Sequence, residues 1–280
     1  MRFSVVIKIV TAMLAFAANS IICRVALRGG HIDPVTFTDL RLTSGALVLL
    51  PLLIRHKEKL RGSLNLKNAL FLMAYAMCFS VAYIHLDTGT GALLLFGVVQ
   101  LTMVVHGVLA GERLTMLRTT GLVVAAGGIG ALLLPGAKAP PVSSALIMGL
   151  AGLAWAAYTL AGRNQSGGAV ATAGNFLIAV PLALILTPFI SSGLHSDVQG
   201  VILAVVAGAA ASAGAYVLWY SLLPHLDSVT ASTVQLSVPC LAMLGGVLFL
   251  GESLSLRMLL STVAVLAGIV LVIGAPRRKR

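Results

Sequence analysis

The sequence predicts an all-α, polytopic membrane protein in which ten transmembrane helices form two inverted five-helix repeats. Three observations lead to this prediction. The 280-residue chain is 59% hydrophobic and 10% charged, with a mean hydropathy of +1.02. Its apolar segments approach the roughly 20 residues that an α-helix needs to cross a bilayer core. Its two halves share polar motifs at a nearly constant offset.

The composition excludes a soluble domain and argues against nucleic acid as a partner. Soluble domains carry about 25% charged residues, far more than this chain. The net charge is +11, but Lys and Arg cluster at the ends of apolar segments, which is a topology signal. Cys23, Cys78 and Cys240 lie in apolar segments without metal-ligand spacing, so we expect no metal and no cofactor.

Ten apolar segments follow one another with turn signals between them. Because ten spans occupy roughly 200 residues, only short loops remain and the two halves form one membrane domain. Lys138 and the Ala-Pro-Pro after it predict a linker at 138–142, between a first repeat at 1–137 and a second at 143–280. The predicted spans are 3–27, 35–54, 66–85, 88–110, 116–134, 144–162, 169–190, 198–223, 228–250 and 256–273.

The N-terminal segment resembles a secretory signal peptide. Arg2 and Lys8 accompany an apolar run, and Ala15 and Ala17 provide a small-residue cleavage pattern. The internal repeat pairs this segment with a helix in mid-chain, where cleavage is impossible. We therefore expect the segment to be retained as the first transmembrane helix.

The distribution of positive charge predicts that both termini lie in the cytoplasm. With an inside N-terminus, fourteen Lys and Arg residues fall inside and five fall outside. The loop at 55–67 and the tail at 277–280 dominate the inside group. An odd number of helices would leave the tail charges outside, so the distribution favours ten spans.

An internal repeat is visible when the sequence is shifted by about 140 residues. At a shift of 140, His-Leu-Asp-Thr at 85–88 meets His-Leu-Asp-Ser at 225–228, and Gly-Glu at 111–112 meets Gly-Glu at 251–252. Several polar matches at one offset are hard to obtain by chance. At a shift of 139 the matches are 14–20 with 153–159, Arg24 with Arg163, and Phe37 with Phe176.

Each half holds five predicted helices, which is an odd number. The second half therefore enters the membrane in the opposite sense to the first. Inverted repeats of this kind are typical of secondary transporters, whose substrate site lies near the midplane between the halves. The repeat thus predicts a transporter that alternates between two packings of its halves.

The repeated motifs resemble the drug/metabolite transporter superfamily, specifically its EamA-type ten-helix exporters. The resemblance rests on a Gly-Glu pair followed by Leu and a last Gly-rich helix, at 110–114 and again at 250–254. Pro239 precedes the second pair by twelve residues, as is usual in the family, whereas the first copy has Val99 there. The resemblance spans the chain and implies a bacterial inner-membrane exporter of amino acids, aromatic and neutral ones included, or related metabolites.

Polar and aromatic side chains within the predicted spans are candidate substrate-binding residues, because a bilayer makes unsatisfied polar groups costly. Amide, Tyr and Trp side chains suit a small neutral or zwitterionic solute, which they bind by hydrogen bonding and stacking. Interhelical hydrogen bonding and interfacial anchoring are the alternative roles. The candidates are Asn19, Tyr75, Tyr83, Gln100, Trp155, Tyr158, Asn175, Tyr216 and Gln235.

The repeated His-Leu-Asp and Gly-Glu motifs supply candidate gating or structural residues. They lie at helix junctions, where an acid before Thr or Ser suggests an N-cap and a Glu after Gly suggests a capped turn. Capping is the favoured role and gating is the alternative. These candidates are His85, Asp87, Glu112, His225, Asp227 and Glu252.

Three further side chains receive structural interpretations. Arg41, in the second span, is expected to extend its guanidinium to the lipid headgroups. His106, in the fourth span, is interpreted as a neutral packing residue, with proton relay as the alternative. Trp219, near the end of the eighth span, is expected in the interfacial aromatic belt.

Three functions compete on these grounds. A membrane enzyme needs a nucleophile, a metal cluster or a carboxylate pair in its interior, yet all eight acids fall in loops or near helix ends. A multidrug exporter of lipophilic cations would be expected to hold a carboxylate deep in a helix, where the first span has Asn19. We therefore expect a facilitated exporter of a small molecule that acts as a monomer in the lipid bilayer, with proton antiport through His106 as the alternative.

Overall fold

The protein is helical throughout the residues that the computed structural model describes. In that part of the chain the only β-type pairing is a single antiparallel bridge between Ile32 and Ser196. The described residues are 3–56, 58, 60–109, 111, 115–134, 139–162, 168–190, 193–222 and 234–274.

Ten helices of at least 14 residues make up the described structure, with a short helical turn at Leu60–Ser63. Each overlaps one of the predicted spans. Helix α8 runs from Val198 to Leu222 and contains a π-helical segment at Ala207–Gly214. The other helices are α1 Phe3–Arg28, α2 Pro34–Arg55, α3 Leu66–Ala82, α4 Thr88–Leu109, α5 Met116–Leu133, α6 Val142–Gly162, α7 Gly168–Ile190, α9 Ser237–Leu250 and α10 Leu256–Gly274.

Seven of the described helices are long and apolar enough to cross a membrane, namely α1, α2 and α4 to α8. Helices α3 and α9 are shorter than this, and so is Leu256–Val272, the part of α10 that was compared. Large apolar side chains such as Leu47, Val123 and Phe189 are exposed on the outer surface of the bundle, as expected of a surface that contacts lipid. The chain is therefore a multi-pass membrane protein.

Helix starts follow local sequence signals. Asp33 caps α2, because its side chain accepts hydrogen bonds from the Val35 and Thr36 amides while Pro34 occupies the first helical position. Asp197 caps α8 in the same manner through the Gly200 amide. These caps fix where the chain turns back into the bundle.

The most extensive contacts between helices of the two halves recur when the halves are exchanged. Helix α1 packs on α8 and α9, and α6, its repeat counterpart, packs on α3 and α4. Three helices pack directly on their own counterparts: α2 on α7, α4 on α9 and α5 on α10. The interior is consequently formed by both halves.

The loops that follow α1, α3, α5, α7 and α9 meet at one end of the bundle, which we call the Arg24 end. The bridge between Ile32 and Ser196 joins two of these loops, and the Arg257 guanidinium donates a hydrogen bond to the Leu134 carbonyl. Helix α1 finishes at this end and α6 starts there. Helices α1 and α6 thus run in opposite directions along the bundle axis.

The π-helical segment of α8 lies against α2. A Cβ atom added at Gly208 would overlap the Arg41 carbonyl oxygen and the Ser44 hydroxyl, so this contact requires glycine. The small-residue run at 208–214 therefore contains a close helix contact. π-Helical segments often mark functional positions, and Ser212 within this one contacts Arg41.

Candidate functional site

A small cavity lies inside the bundle between the two halves, and we call it the central cavity. Its volume is about 20 Å³, the size of about one water molecule. Four of its residues were predicted from the sequence to bind substrate: Asn19, Tyr75, Trp155 and Tyr216. Its lining is completed by Phe16, Ser20, Phe79, Leu95 and Phe96.

Aromatic rings from both halves surround the central cavity. The ring centroid of Trp155 lies 4.7 Å from that of Tyr75, 4.9 Å from that of Tyr216 and 5.6 Å from that of Tyr158. Phe16 contacts Tyr216 with a centroid distance of 6.0 Å. Rings at these spacings and tilts interact favourably with one another and offer flat apolar surfaces to a solute.

Two amides predicted as site residues keep an unused acceptor. The Asn19 side chain lines the central cavity, and its Oδ1 is buried without a hydrogen-bond partner. Asn175 donates from Nδ2 to the Tyr158 hydroxyl at 3.3 Å, and its Oδ1 is also buried without a partner. Because an unpaired buried acceptor is costly, the Asn19 oxygen is available to a polar ligand in the central cavity, whereas Asn175 and Tyr158 do not line that cavity.

Arg41 corrects the sequence-based interpretation, since it does not extend to the lipid headgroups. Its side chain is 1% exposed and points into the bundle. Residue 41 lies only about 10 Å along α2 from its start, which suggested an interfacial position. The direction of the side chain is decided by its helix face, which it shares with the buried residues Phe37, Ser44 and Gly45.

Hydroxyl groups and aromatic rings hold the Arg41 guanidinium. Nε donates to the Ser212 hydroxyl at 2.9 Å, and Nη2 donates to the hydroxyls of Tyr75 at 3.2 Å and Tyr216 at 3.4 Å. The guanidinium carbon lies 5.1 Å from the ring centroid of Phe79 and 5.3 Å from that of Tyr75. Since Tyr75, Tyr216 and Phe79 line the central cavity, Arg41 lies directly behind its wall. The sequence analysis therefore missed a charged group beside the site.

Besides Tyr158 and Asn175, three predicted substrate-binding residues do not line the central cavity. Tyr83 is buried near the Arg24 end, where its hydroxyl donates to the Thr88 carbonyl at 3.2 Å. Gln100 lines a separate small cavity of about 10 Å³ that also contains residues of α5 and α10. Gln235 is buried just before α9 and does not line the central cavity.

A buried ion pair joins the two halves at the Arg24 end. Nε of Arg24 lies 3.4 Å from a carboxylate oxygen of Glu252, and both side chains are 6% exposed. Nη2 of Arg24 donates to Asp87 at 3.2 Å, and Nη1 donates to the carbonyls of Tyr83 and Ile84. The guanidinium therefore connects α1 to the loop before α4 and to the loop after α9.

Glu252 caps the first turn of α4, a helix of the opposite half. Its carboxylate accepts hydrogen bonds from the Thr88 amide at 2.9 and 3.0 Å and from the Thr88 hydroxyl at 3.0 Å. The sequence suggested Asp87 as this cap, whereas Asp87 instead accepts the hydrogen bond from Arg24. An anionic cap at a helix N-terminus is favourable because the helix dipole is positive there.

The backbone conformation at the end of α9 explains why Gly precedes Glu in the Gly-Glu motif. Gly251 ends α9 with a φ of 64°, a left-handed conformation that a side chain disfavours. This turn brings Glu252 back over the end of α9, where a Cβ on Gly246 would overlap its carboxylate. In the first copy of the motif Gly111 also has a positive φ, of 96°.

A second junction at the Arg24 end joins the loops after α1 and α7. Nδ1 of His31 lies 2.7 Å from an Asp197 carboxylate oxygen. The Gly200 amide and His31 hydrogen-bond Asp197 and lower the pKa of its carboxyl group. Partial burial alone would raise the pKa of Asp33, but hydrogen bonds from Thr36, His195 and Val35 outweigh burial and lower it.

The remaining predicted residues have the following positions. His85 and Asp87 line a larger cavity of about 190 Å³ at the Arg24 end. His106 is exposed on the surface of α4, so its interpretation as a packing residue is wrong. Trp219 is buried with its ring 6.1 Å from that of Phe16, so it does not belong to an interfacial belt. Glu112, His225 and Asp227 lie outside the described residues.

Comparison with known proteins places this architecture among transporters. Residues 3–134 and 142–274 each match the EamA-like transporter family. The chain is 49% identical over 272 residues to the uncharacterized protein PA1977 of Pseudomonas aeruginosa, covering 97% of this chain and 94% of that protein. A crystal structure that is 17% identical has a TM-score of 0.67 over 97% of this chain and 98% of that chain, which shows a shared fold.

Proposed function

The chain belongs to the EamA-like transporter family, and from that premise we propose that it exports amino acids or related small metabolites across the bacterial inner membrane. Aromatic and neutral amino acids are included in the proposed substrates. Members of the family are transporters rather than enzymes. The observation that supports the proposal most is the central cavity, whose aromatic and amide lining comes from both halves of the bundle.

Alternating access follows from the proposed inverted arrangement of the halves, with repeats at 1–137 and 143–280. Two observations support it: the most extensive helix contacts recur when the halves are exchanged, and α1 and α6 run in opposite directions. The central cavity is too small for an amino acid, so transport requires the bundle to open. The Arg24–Glu252 pair and the bridge at Ile32 close one end in the present structure.

The proposed topology has ten spans, with both termini in the cytoplasm. The shorter apolar helices α3, α9 and α10 each pack lengthwise on a long neighbour, which supports counting them as spans. The distribution of Lys and Arg then favours an outside location for the Arg24 end. We further propose that the protein acts as a monomer, because the central cavity is formed within one chain.

The proposed export is facilitated rather than proton-coupled. His106, the alternative proton carrier, is exposed on the surface of α4 and not directed into the bundle. Asp39 is an acid inside α2, and it accepts a hydrogen bond from the Thr187 hydroxyl at 2.6 Å. Half a helix turn separates it from Arg41, so the two side chains do not face each other. Liposomes with a trapped pH dye test this point. Proton movement that scales with substrate flux would contradict facilitated export.

A counterflow screen tests the proposed function. Purified protein in liposomes is loaded with one unlabelled solute and given trace labelled solute outside, and the series covers amino acids, nucleosides and sugars. We expect trans-stimulated uptake of a subset that includes an aromatic or neutral amino acid. Protein-free liposomes provide the background. Uptake no faster than this background for every solute in the series would contradict the proposal.

A further inference from the structure

Arg41 carries a buried positive charge that no described carboxylate neutralises. The ion pairs in the described structure involve Arg24 and His31, and none includes Arg41. Tyr75 and Tyr216 are the titratable side chains that hydrogen-bond Arg41 in the described structure, and both offer it neutral hydroxyls. A charge inside a membrane bundle is expensive to maintain without a counter-ion.

The hydrogen-bonding capacity of the guanidinium is only partly used. Its five N–H groups include one on Nε and two on Nη2, and these are directed at Ser212, Tyr75 and Tyr216. The remaining two belong to Nη1, which is buried without a hydrogen-bond partner. All three acceptors are neutral hydroxyls. An additional acceptor that carries negative charge would accept hydrogen bonds from Nη1 and would also neutralise the charge of the guanidinium.

The arginine is specific to one half of the protein. The repeat offset that aligns Phe37 with Phe176 places Val180 opposite Arg41. Helix α7 therefore packs in the position equivalent to α2 without a charged residue. The architecture of the repeat does not require an arginine at this place, so a packing role common to both halves does not account for Arg41.

We infer that Arg41 is the anion-recognition residue of the central cavity, and that the transported solute carries a carboxylate on an apolar or aromatic body. This inference rests on the proposed transport function and narrows its substrate class. The hydroxyls of Tyr75 and Tyr216 link the guanidinium to the cavity, and the ring centroid of Trp155 lies 4.7 Å and 4.9 Å from those of the two tyrosines. A carboxylate at the tyrosine hydroxyls thus places the body of the solute against the aromatic rings.

On this inference the protein recognises the carboxylate of the solute and not an amino group. In the described part of the chain no acidic side chain lines the central cavity to bind an ammonium group. Organic cations without a carboxylate are excluded by the charge of Arg41. This selectivity is opposite to that required of an exporter of lipophilic cations.

A matched pair of competitors tests the inference in the counterflow assay. The pair is 3-phenylpropionate and 3-phenylpropanamide, which share size and aromatic body and differ in the negative charge. The labelled solute is phenylalanine, uridine or glucose, depending on which of them the wild-type vesicles exchange. Each competitor is added against this solute. We expect the carboxylate to compete about 30-fold more strongly or better, as is typical for a charge pair withdrawn from water.

Variants connect this preference to Arg41. In Arg41→Gln the preference for the carboxylate is expected to fall to less than about threefold, and Arg41→Lys is expected to retain part of it. Arg28→Gln, which removes an exposed charge at the end of α1, is the control and is expected to retain it in full. A melting temperature measured for each variant shows whether it is folded. If Arg41→Gln does not fold, the test rests on whether wild-type vesicles prefer the carboxylate to the amide.

Three contrary results are distinguishable. If wild-type vesicles exchange a solute but the carboxylate competes no better than the amide, the inference on Arg41 is wrong and the transport function stands. The same holds if Arg41→Gln is folded and keeps the full preference, because Arg41 then only connects α2 to α8. If the vesicles exchange nothing, the transport function and the inference both fail.

Discussion

Arg24 in the first half and Glu252 in the second half form a buried ion pair, with 3.4 Å between Nε and the nearest carboxylate oxygen. The same carboxylate caps α4, so one side chain both joins the halves and completes a helix end. A transporter that opens at this end has to separate the pair. The strength of the pair therefore sets how readily the end opens.

Replacing Glu252 with Gln is expected to open the Arg24 end more often. The amide keeps the size of the side chain but loses the charge that attracts Arg24 across the buried ion pair. Cys23, next to Arg24 and fully buried, reports on opening. In a Cys78→Ser, Cys240→Ser background, we expect a polar maleimide to label Cys23 about tenfold faster or more.

The exposed Glu58 provides the matched control for this labelling experiment. Glu58→Gln makes the same chemical change away from the ion pair and should leave the labelling rate of Cys23 unchanged. Equal rates in Glu252→Gln and Glu58→Gln would show that the ion pair does not hold the end closed.

Replacing Gly251 with Ala is expected to destabilise the protein by about 1 kcal/mol, because alanine disfavours the φ of 64° at the end of α9. The melting temperature in detergent measures this effect. Gly127→Ala is the matched control, since Gly127 lies inside α5 with open space around its Cα, and alanine there should be neutral or stabilising. A Gly251→Ala variant as stable as Gly127→Ala would contradict the conformational role of the motif.

Replacing Gly208 with Ala should force α2 away from the π-helical segment of α8. The new methyl group would overlap the Arg41 carbonyl and the Ser44 hydroxyl, and overpacking of this kind costs about 1–3 kcal/mol. We expect a lower melting temperature than for Gly149→Ala, whose added methyl group meets nothing within 4 Å. Equal melting temperatures would mean that the close contact between α2 and α8 is not needed.

Acid should weaken the junction between the loops after α1 and α7. The lowered pKa values of Asp33 and Asp197 mean that these carboxylates stabilise the fold above about pH 4, their unfolded range, and lose this contribution as the pH falls through the folded values. The melting temperature should therefore drop between pH 5 and pH 3. In Asp33→Asn/Asp197→Asn the drop should be smaller, whereas Glu58→Gln should match the wild type. A double variant with the full acid dependence would refute this assignment.

Much of the fold and part of the site could be predicted from the sequence, because polar residues that recur at one offset are informative in an apolar chain. The offset pairs Phe16 with Trp155, and both line the central cavity. Asn19, Tyr75 and Tyr216 were likewise predicted and meet there. Their common feature is a polar or aromatic group in the middle of a span, which a bilayer tolerates only when it faces the interior.

What the sequence did not reveal was the direction of individual side chains. Arg41 lies near enough to a helix end to reach the headgroups, and only its shared face with Ser44 and Gly45 signals an inward direction. Gln100 is in the middle of a span, yet its neighbours are α5 and α10 rather than the central cavity. Glu252 caps a helix of the opposite half, a contact between distant parts of the chain that local capping patterns cannot anticipate.

The central claim is that a solute crosses the membrane through the aromatic cavity between the halves. Counterflow by Trp155→Ala tests it most directly, because the ring of Trp155 lines the cavity, whereas that of Trp219, also buried, does not. With both variants folded and inserted, we predict that Trp155→Ala reduces trans-stimulated uptake at least about tenfold, while Trp219→Ala retains most of it. Full uptake by Trp155→Ala would contradict the account.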